Sequence, residues 1–269
     1  MLAAERHSFI LDELNNRGAV RITTLASQLD VSEMTVRRDL EMLADQGLIF
    51  KVHGGATVKT DSPLVTELPF RTKSQREQAA KDAIAKAAAE MVQPAAALAL
   101  LGGSTVFALA RQLVQIPRLT IVTNSLPVSD LFQREGRSDQ TVILAGGLRT
   151  PTDSFVGEIT VSVFDRLNID IAFTGAHGID PVGGFSSPNL LEADTNRAVR
   201  ARAKKLVVLA DHTKWGQVAF STFAQLEDAD VLITDSDMAA DTVKELKARI
   251  PDIRIASANT ASMNVKAGH

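Results

Sequence analysis

The chain has 269 residues, which fits two domains, and its 45% hydrophobic but only 4% aromatic content calls for a core built from aliphatic side chains. A formal net charge of −3 gives no global attraction to a polyanion, and the absence of cysteine excludes disulfides and cysteine-ligated zinc. No apolar run reaches the roughly 18 residues of a membrane span, and charges interrupt MLAAERHSF where a signal peptide needs its apolar region; a cytoplasmic setting without a membrane partner is expected.

Residues 1–60 hold seven Lys and Arg against eight Asp and Glu, so an interaction with nucleic acid must depend on where the charges sit. Residues 4–16 read as a helix with Ile10, Leu11 and Leu14 on one side, stopped at Gly18. Arg21 and Ile22 lead into TTLASQLD, where Leu25, Ala26 and Leu29 have helical spacing and Thr23 or Thr24 can cap the start. Asp30-Val31-Ser32 makes a short turn, Ser32 can cap a second helix over 33–46, and Gly47 ends it. Two short helices joined by a tight turn describe a helix-turn-helix.

In helix 33–46, Val36, Leu40 and Leu43 form the buried stripe. At about 100° per residue, Met34 and Arg38 point away from it and Arg37 lies on the flank. The second helix of such a motif presents its N-terminal residues, here Thr35, Arg37 and Arg38, to base edges in the major groove. The alternative is a surface ion pair with Glu41, four residues from Arg37 and three from Arg38. LIFKVHGGATV then alternates, turns at Gly54-Gly55 and resumes, which reads as a two-stranded wing with Lys51 and His53 near its tip.

With Leu25-Ala26, Val31-Ser32, Thr35 to Leu40, Leu43, Gly47 and Val52 to Ala56, residues 3–58 resemble the DNA-binding domain of the DeoR family of bacterial transcription regulators. The resemblance implies double-stranded operator DNA as partner, contacted from Arg21, Ser32, Met34, Thr35, Arg37, Arg38, Lys51 and His53.

Residues 59–75, with two prolines, read as a linker between a winged helix-turn-helix domain at 1–58 and a second domain at 76–257. The second domain opens on the alanine-rich helix REQAAKDAIAKAAAEMV, which ends at Pro94, and then alternates strands with helices. The strand runs are ALALLGG, TIVTNS, TVILAGG, IDIAFTGAHGI, KLVVLAD and DVLITD. Continuous aliphatic runs between helices imply an α/β fold with a mostly parallel sheet covered on both faces, binding its ligand beyond the C-terminal strand ends.

Five polar groups fall at those ends: Gly102-Gly103-Ser104-Thr105, Asn124-Ser125, Gly146-Gly147, Thr174-Gly175-Ala176 and Asp211 to Lys214. A glycine pair opening a helix lets backbone N–H groups approach an anion, and Ser104 and Thr105 add hydroxyls. Lys214 can add positive charge and Asp211 can accept from sugar hydroxyls. No GxGxxG follows the first strand, which argues against a dinucleotide.

LLGGST, VTNS, LAGG with Arg149, FTGAHGI and ADHTKWG resemble the sensor domain of the same family, which is itself similar to ribose-5-phosphate isomerase. The implied effector is a phosphorylated sugar or related metabolite, contacted by Gly102, Gly103, Ser104, Thr105, Asn124, Ser125, Gly147, Arg149, Gly175, Glu192, Asp211 and Lys214. The isomerases carry D-G-A-D-E after the central strand; Thr174 to Gly178 stand there in this chain, so the acid-base carboxylates are lost while Asp211 to Lys214 keep the anion-handling element. No catalytic residue, cofactor or metal is expected; an isomerase with a DNA-binding appendage is the alternative. Glu192 is read as a hydrogen-bonding group or a surface position, His177 as a turn or switch residue, and the basic run Arg197, Arg200, Arg202, Lys204, Lys205 as a solvated face, a subunit contact or a second DNA contact. A homo-oligomer is expected, because paired half-sites multiply specificity, and residues 258–269 are expected to be disordered.

Overall fold

The computed structural model describes residues 6, 7, 9–11, 13, 14, 19–45, 49–52, 54–58, 70 and 77–257. Gly18, Gly47, His53, most of 59–75 and the tail 258–269 lie outside the described residues, as does the Arg21 side chain. The chain divides into two compact units, residues 1–66 and 67–269.

In the first unit, β1 (Ala19–Arg21) runs directly into α1 (Ile22–Leu29), and α2 (Glu33–Asp45) follows after a tight turn. Because α1 begins at Ile22, Thr23 and Thr24 sit inside the helix and cap nothing. Asp30 takes the left-handed conformation, φ 52°, which lets the Val31 N–H close on the Ala26 carbonyl at 3.1 Å. Ser32 then starts α2: its Oγ accepts from the Thr35 N–H at 3.1 Å and bonds the Thr35 hydroxyl at 2.9 Å. The wing is β2 (Ile49–Val52) and β3 (Gly55–Val58), paired antiparallel with Val52 opposite Gly55. It has three strands rather than the expected two, since β1 pairs along the other side of β3. A three-residue strand leading into a helix has too little alternation to be recognised in the sequence. Ile10, Leu14, Leu25, Leu29, Val36, Leu40, Leu43, Ile49 and Ala56 form the core of this unit.

The second unit opens on α3 (Gln78–Ala89). Its main sheet consists of β4 (Ala97–Leu100), β5 (Thr120–Thr123), β6 (Thr141–Leu144), β9 (Ile171–Gly175), β12 (Leu206–Leu209), β14 (Val231–Asp235) and β15 (Asp252–Ala256). Every pairing is parallel, in the order β15-β14-β12-β9-β4-β5-β6. The helices are α4 (Ser104–Leu113), α5 (Leu126–Glu135), α6 (Glu158–Phe164), α7 (Leu190–Arg202) and α8 (Ala240–Lys247). Alternate strand residues serve two cores: Leu98, Leu100, Phe173 and Val207 meet α3, α4 and α5, while Ala99, Ala172, Val208 and Leu232 meet α6, α7 and α8. Burial of both faces explains why the inner strands read as unbroken aliphatic runs.

Two small features stand beside this sheet. β7 (Leu148–Arg149) and β8 (Phe155–Val156) form a hairpin, and β10 (Gly178–Asp180), β11 (Gly184–Ser187) and β13 (Ser221–Ala224) form an antiparallel sheet. The run IDIAFTGAHGI thus divides between β9 and β10. Phe70, within the segment read as a linker, packs edge-to-face on Phe107 of α4 with ring centroids 5.2 Å apart.

Candidate functional site

On α2, the side facing away from Val36, Leu40 and Leu43 carries Met34, Arg37, Arg38, Glu41 and Met42, all exposed. The side chains of Arg37 and Arg38 make no ion pair or hydrogen bond among the described residues. Glu41, the rival partner for both, is bonded instead to Lys51 of the wing at 2.7 Å. The hydrogen bond from Lys51 holds the Glu41 carboxyl below its ordinary range, with the ammonium charge and the two arginines adding to the effect. Lys51 therefore ties the wing to α2, and among the described residues the two arginines keep only their longer-range attraction to Glu41. Ser32 and Thr35 are engaged with each other at the helix start, and Arg21 lies on β1.

The third member of the Arg37-Arg38-Asp39 run has a different task. Asp39 is 3% exposed. Its two oxygens accept from Arg6 Nε at 2.8 Å and Arg6 Nη2 at 3.1 Å, and His7 Nε2 lies 3.0 Å away. Burial pushes the Asp39 carboxyl up, but the hydrogen bonds from Arg6 and His7 outweigh it and leave the group below its ordinary value. Asp39 thus clamps the N-terminal helical segment onto α2. A partner 33 residues away leaves no local signal in the sequence.

In the second unit the strand order leaves β4 toward β5 and β6 on one side and toward β9, β12, β14 and β15 on the other. The direction of winding reverses between β4 and β9, and open parallel sheets bind ligands in the crevice beyond such a point. Gly102 to Thr105 lie there, after β4 and at the start of α4. Gly103 precedes the helix at φ 138°, backbone that favours glycine, and a side chain there would meet nothing within 4 Å. The first helical bond runs from Phe107 N–H to the Gly103 carbonyl at 2.9 Å, so the N–H groups of Ser104, Thr105 and Val106 precede the helical ladder. Together with the helix dipole they favour a negative charge at this end.

Asn124 braces this loop. Its Oδ1 accepts from the Gly102 N–H at 2.9 Å and its Nδ2 donates to the Phe155 carbonyl at 2.8 Å, and the residue is 1% exposed. Ser125 caps α5, accepting from the Val128 N–H at 3.4 Å, and is equally buried. Gly147 follows Gly146, whose carbonyl accepts from the Thr160 hydroxyl at 2.7 Å. Gly175 ends β9 beside Leu209 of β12. The buried Asp211 carboxylate accepts from Thr213 N–H at 3.1 Å and from the Thr213 hydroxyl, fixing the 3-10 turn His212–Lys214. Lys214 is half-buried, and its ammonium has no hydrogen bond or ion pair among the described residues.

Two expected members belong to other elements, although the β7–β8 hairpin itself meets the loop after β5, where the Leu126 N–H donates to the Asp153 carbonyl at 2.9 Å and the Phe155 N–H to the Asn124 carbonyl at 2.7 Å. Arg149 belongs to the β7–β8 hairpin and forms an ion pair with Asp153 at 2.6 Å. Glu192, in the first turn of α7, is buried and accepts from the Ser187 hydroxyl at 2.5 Å. In the basic run, Arg197 meets Asp194, Arg200 meets Asp228, Arg202 meets Asp165 and Lys204 meets Asp170. Four paired cations favour the solvated-face reading over a second DNA contact.

The sequence reading missed Ser154, whose buried Oγ has no hydrogen-bond partner among the described residues and lies against Gly102; a β-carbon on Gly102 would come within 2.0 Å of it. It also missed the pair formed by His212 Nδ1 and Asp235 Oδ1 at 2.9 Å. His212, Asp235 and Asp237 bring potential ligand atoms within 4.8 Å of one another. The Asp235 oxygens already accept from His212 N–H and Asp237 N–H, at 2.8 and 3.0 Å, so the cluster is accounted for as a turn-fixing network.

Comparison with known proteins agrees with both units. The DeoR-like helix-turn-helix domain matches residues 6–62, and the DeoR C terminal sensor domain matches residues 76–236. The HTH-type transcriptional regulator GolR of Listeria innocua is 34% identical over 88% of this chain and 92% of its own. The lactose phosphotransferase system repressor of Streptococcus mutans is 34% identical over 87% of this chain and 93% of its own. The glycerol-3-phosphate regulon repressor of Escherichia coli is 30% identical over 88% and 92%. Among solved structures, ribose 5-phosphate isomerase A of Methanocaldococcus jannaschii aligns with a TM-score of 0.39 and 20% identity, covering 52% of this chain and 55% of that one. The relatives matched along most of their length are named as regulators and repressors, so the chain is a regulator rather than an enzyme. No helix among the described residues is long and apolar enough to cross a membrane. Matched in both its parts, and along most of its length by named regulators, the chain belongs to the DeoR family of helix-turn-helix transcriptional regulators.

Proposed function

We propose that the chain is a repressor of a carbohydrate-utilisation operon whose grip on operator DNA is changed by a phosphorylated sugar. The winged helix-turn-helix of residues 1–58 holds the operator through Met34, Thr35, Arg37 and Arg38 on α2, with Arg21, Ser32, Lys51 and His53 as flanking contacts. Residues 59–75 connect it to the sensor of residues 76–257, and the working form is a cytoplasmic homo-oligomer that engages paired half-sites.

The observation that carries the effector reading is the open start of α4 at the reversal point of the sheet, with Lys214 uncommitted on the same strand-end edge. β12 and β4 are separated by β9 alone, about 10 Å across the sheet, a span suited to a small phosphorylated sugar. The phosphate sits on the N–H groups after Gly103, with the Ser104 and Thr105 hydroxyls and Lys214, while Asp211, Asn124 and Glu192 are nearest in kind to sugar hydroxyls. Names of relatives support the class of operon: one represses a lactose phosphotransferase system and another a glycerol-3-phosphate regulon. A coupling of about 1–3 kcal/mol between the two sites is typical of such regulators.

The test is a gel shift on the DNA upstream of the chain's own operon, titrated with a panel of sugar phosphates and their unphosphorylated parents. One phosphorylated compound should change the shift while its parent does not. A complex indifferent to the whole panel would sink the effector reading.

A further inference from the structure

We propose that α2 reads thymine methyl groups on either side of a guanine, through Met34 and Met42 flanking Arg38. This rests on the DNA-binding reading above and adds the base chemistry to it. Met34 is 63% exposed and Met42 48% exposed. A lone exposed apolar side chain needs no explanation, but these two stand at i and i+8 with Arg38 at i+4 between them. At about 100° per residue each step of four advances only about 40° around the helix, so the three form one line on the side opposite Val36, Leu40 and Leu43.

Glu41, three residues from Arg38, is occupied by Lys51 at 2.7 Å, so the stretch of the line from Met34 to Met42 reads apolar, cationic, apolar. The major groove offers the matching pattern. Guanine presents two acceptors to an arginine, and thymine presents a methyl group that only an apolar side chain rewards. Methionine suits this contact because it is long, unbranched and polarizable. From Met34 to Met42 the helix rises about 12 Å, three to four base-pair steps at about 3.4 Å each.

The experiment uses the full chain and duplexes enriched by it from a random-sequence library. Each thymine of the best duplex is replaced in turn by deoxyuridine, which lacks only the methyl group. Loss of one buried methyl should weaken binding about fourfold, at one position on each side of the guanine that Arg38→Ala stops distinguishing. Met34→Ala should abolish the penalty at one of these positions and Met42→Ala at the other. Both side chains lie on the surface, so unchanged thermal melting will show that the variants fold. If deoxyuridine costs nothing anywhere while Arg38→Ala still weakens binding, the methyl-reading proposal fails alone. It fails equally if both methionine variants keep the full penalty. If no duplex is enriched, the DNA-binding reading fails with it.

Discussion

Under the function proposed above, the two units would meet negative charge in opposite ways. On α2 the groups in question are side chains: among the described residues Arg37 and Arg38 stand exposed without a bonded carboxylate, since Glu41 is bonded to Lys51 and Asp39 to Arg6. Around the sensor sheet many surface cations are paired, including Arg149, Arg197, Arg200, Arg202, Lys204 and Arg249. Open at the sheet reversal are backbone groups, the first N–H groups of α4, and on the same sheet edge the Lys214 ammonium has no partner among the described residues. Long mobile cations suit a polyanion read along a groove, whereas fixed N–H groups suit one small anion held in a single geometry. A net charge of −3 is compatible with both, since neither site depends on the charge of the whole chain.

The sharpest way to break this contrast is at the arginines. Replacing both Arg37 and Arg38 by Ala should lower operator affinity by about a hundredfold or more and flatten its salt dependence, with the response to effector intact. A variant that binds as tightly as the parent would return the pair to the solvated face.

Next in size is the clamp. Asp39→Asn should lower the melting temperature of the first unit by about 5–10 °C, because it weakens a buried hydrogen-bonded ion pair. The folded-state value of the Asp39 carboxyl lies below its unfolded value. Its contribution is therefore present above about pH 4 and is lost as the pH falls through the folded value. Acid unfolding of the first unit, followed by circular dichroism, should be less steep in that range for Asp39→Asn; superimposable curves would contradict the clamp.

Lys214→Ala should weaken the effector by about tenfold, the scale of one charge-assisted hydrogen bond, without altering operator affinity in its absence. Calorimetric titration of the active sugar phosphate measures the first and a gel shift the second; equal effects on both would mean that Lys214 is structural.

The smallest change concerns packing. The Thr234 hydroxyl on β14 is fully buried without a hydrogen-bond partner among the described residues. Thr234→Val should raise the melting temperature of the second unit by about 2–4 °C, and a lower value in differential scanning calorimetry would show that the hydroxyl has a use.

Legibility followed the range of the interactions. α2 was expected over 33–46 and runs over 33–45, because its buried stripe, its serine cap and its exposed arginines are all written within fifteen residues. Six sheet strands were visible as aliphatic runs, but β15, the seventh, was not. It lies at the sheet edge, where Asp252 and Arg254 alternate with Ile253 and Ile255 and pair with each other at 3.0 Å. Within the sensor site, glycine at the start of α4 was legible as turn chemistry, whereas the brace from Asn124 and the seating of Ser154 against Gly102 were not.

By itself the sequence determined the helix-turn-helix, the strand and helix alternation and the residue types at each strand end, because hydrophobic period, caps and turns are local properties of the chain. The tertiary structure alone decided which carboxylate meets which cation, that β1 joins the wing, and that the winding reverses between β4 and β9. Each of those outcomes depends on groups brought together from distant parts of the chain, where proximity in space, rather than order in sequence, selects the partner.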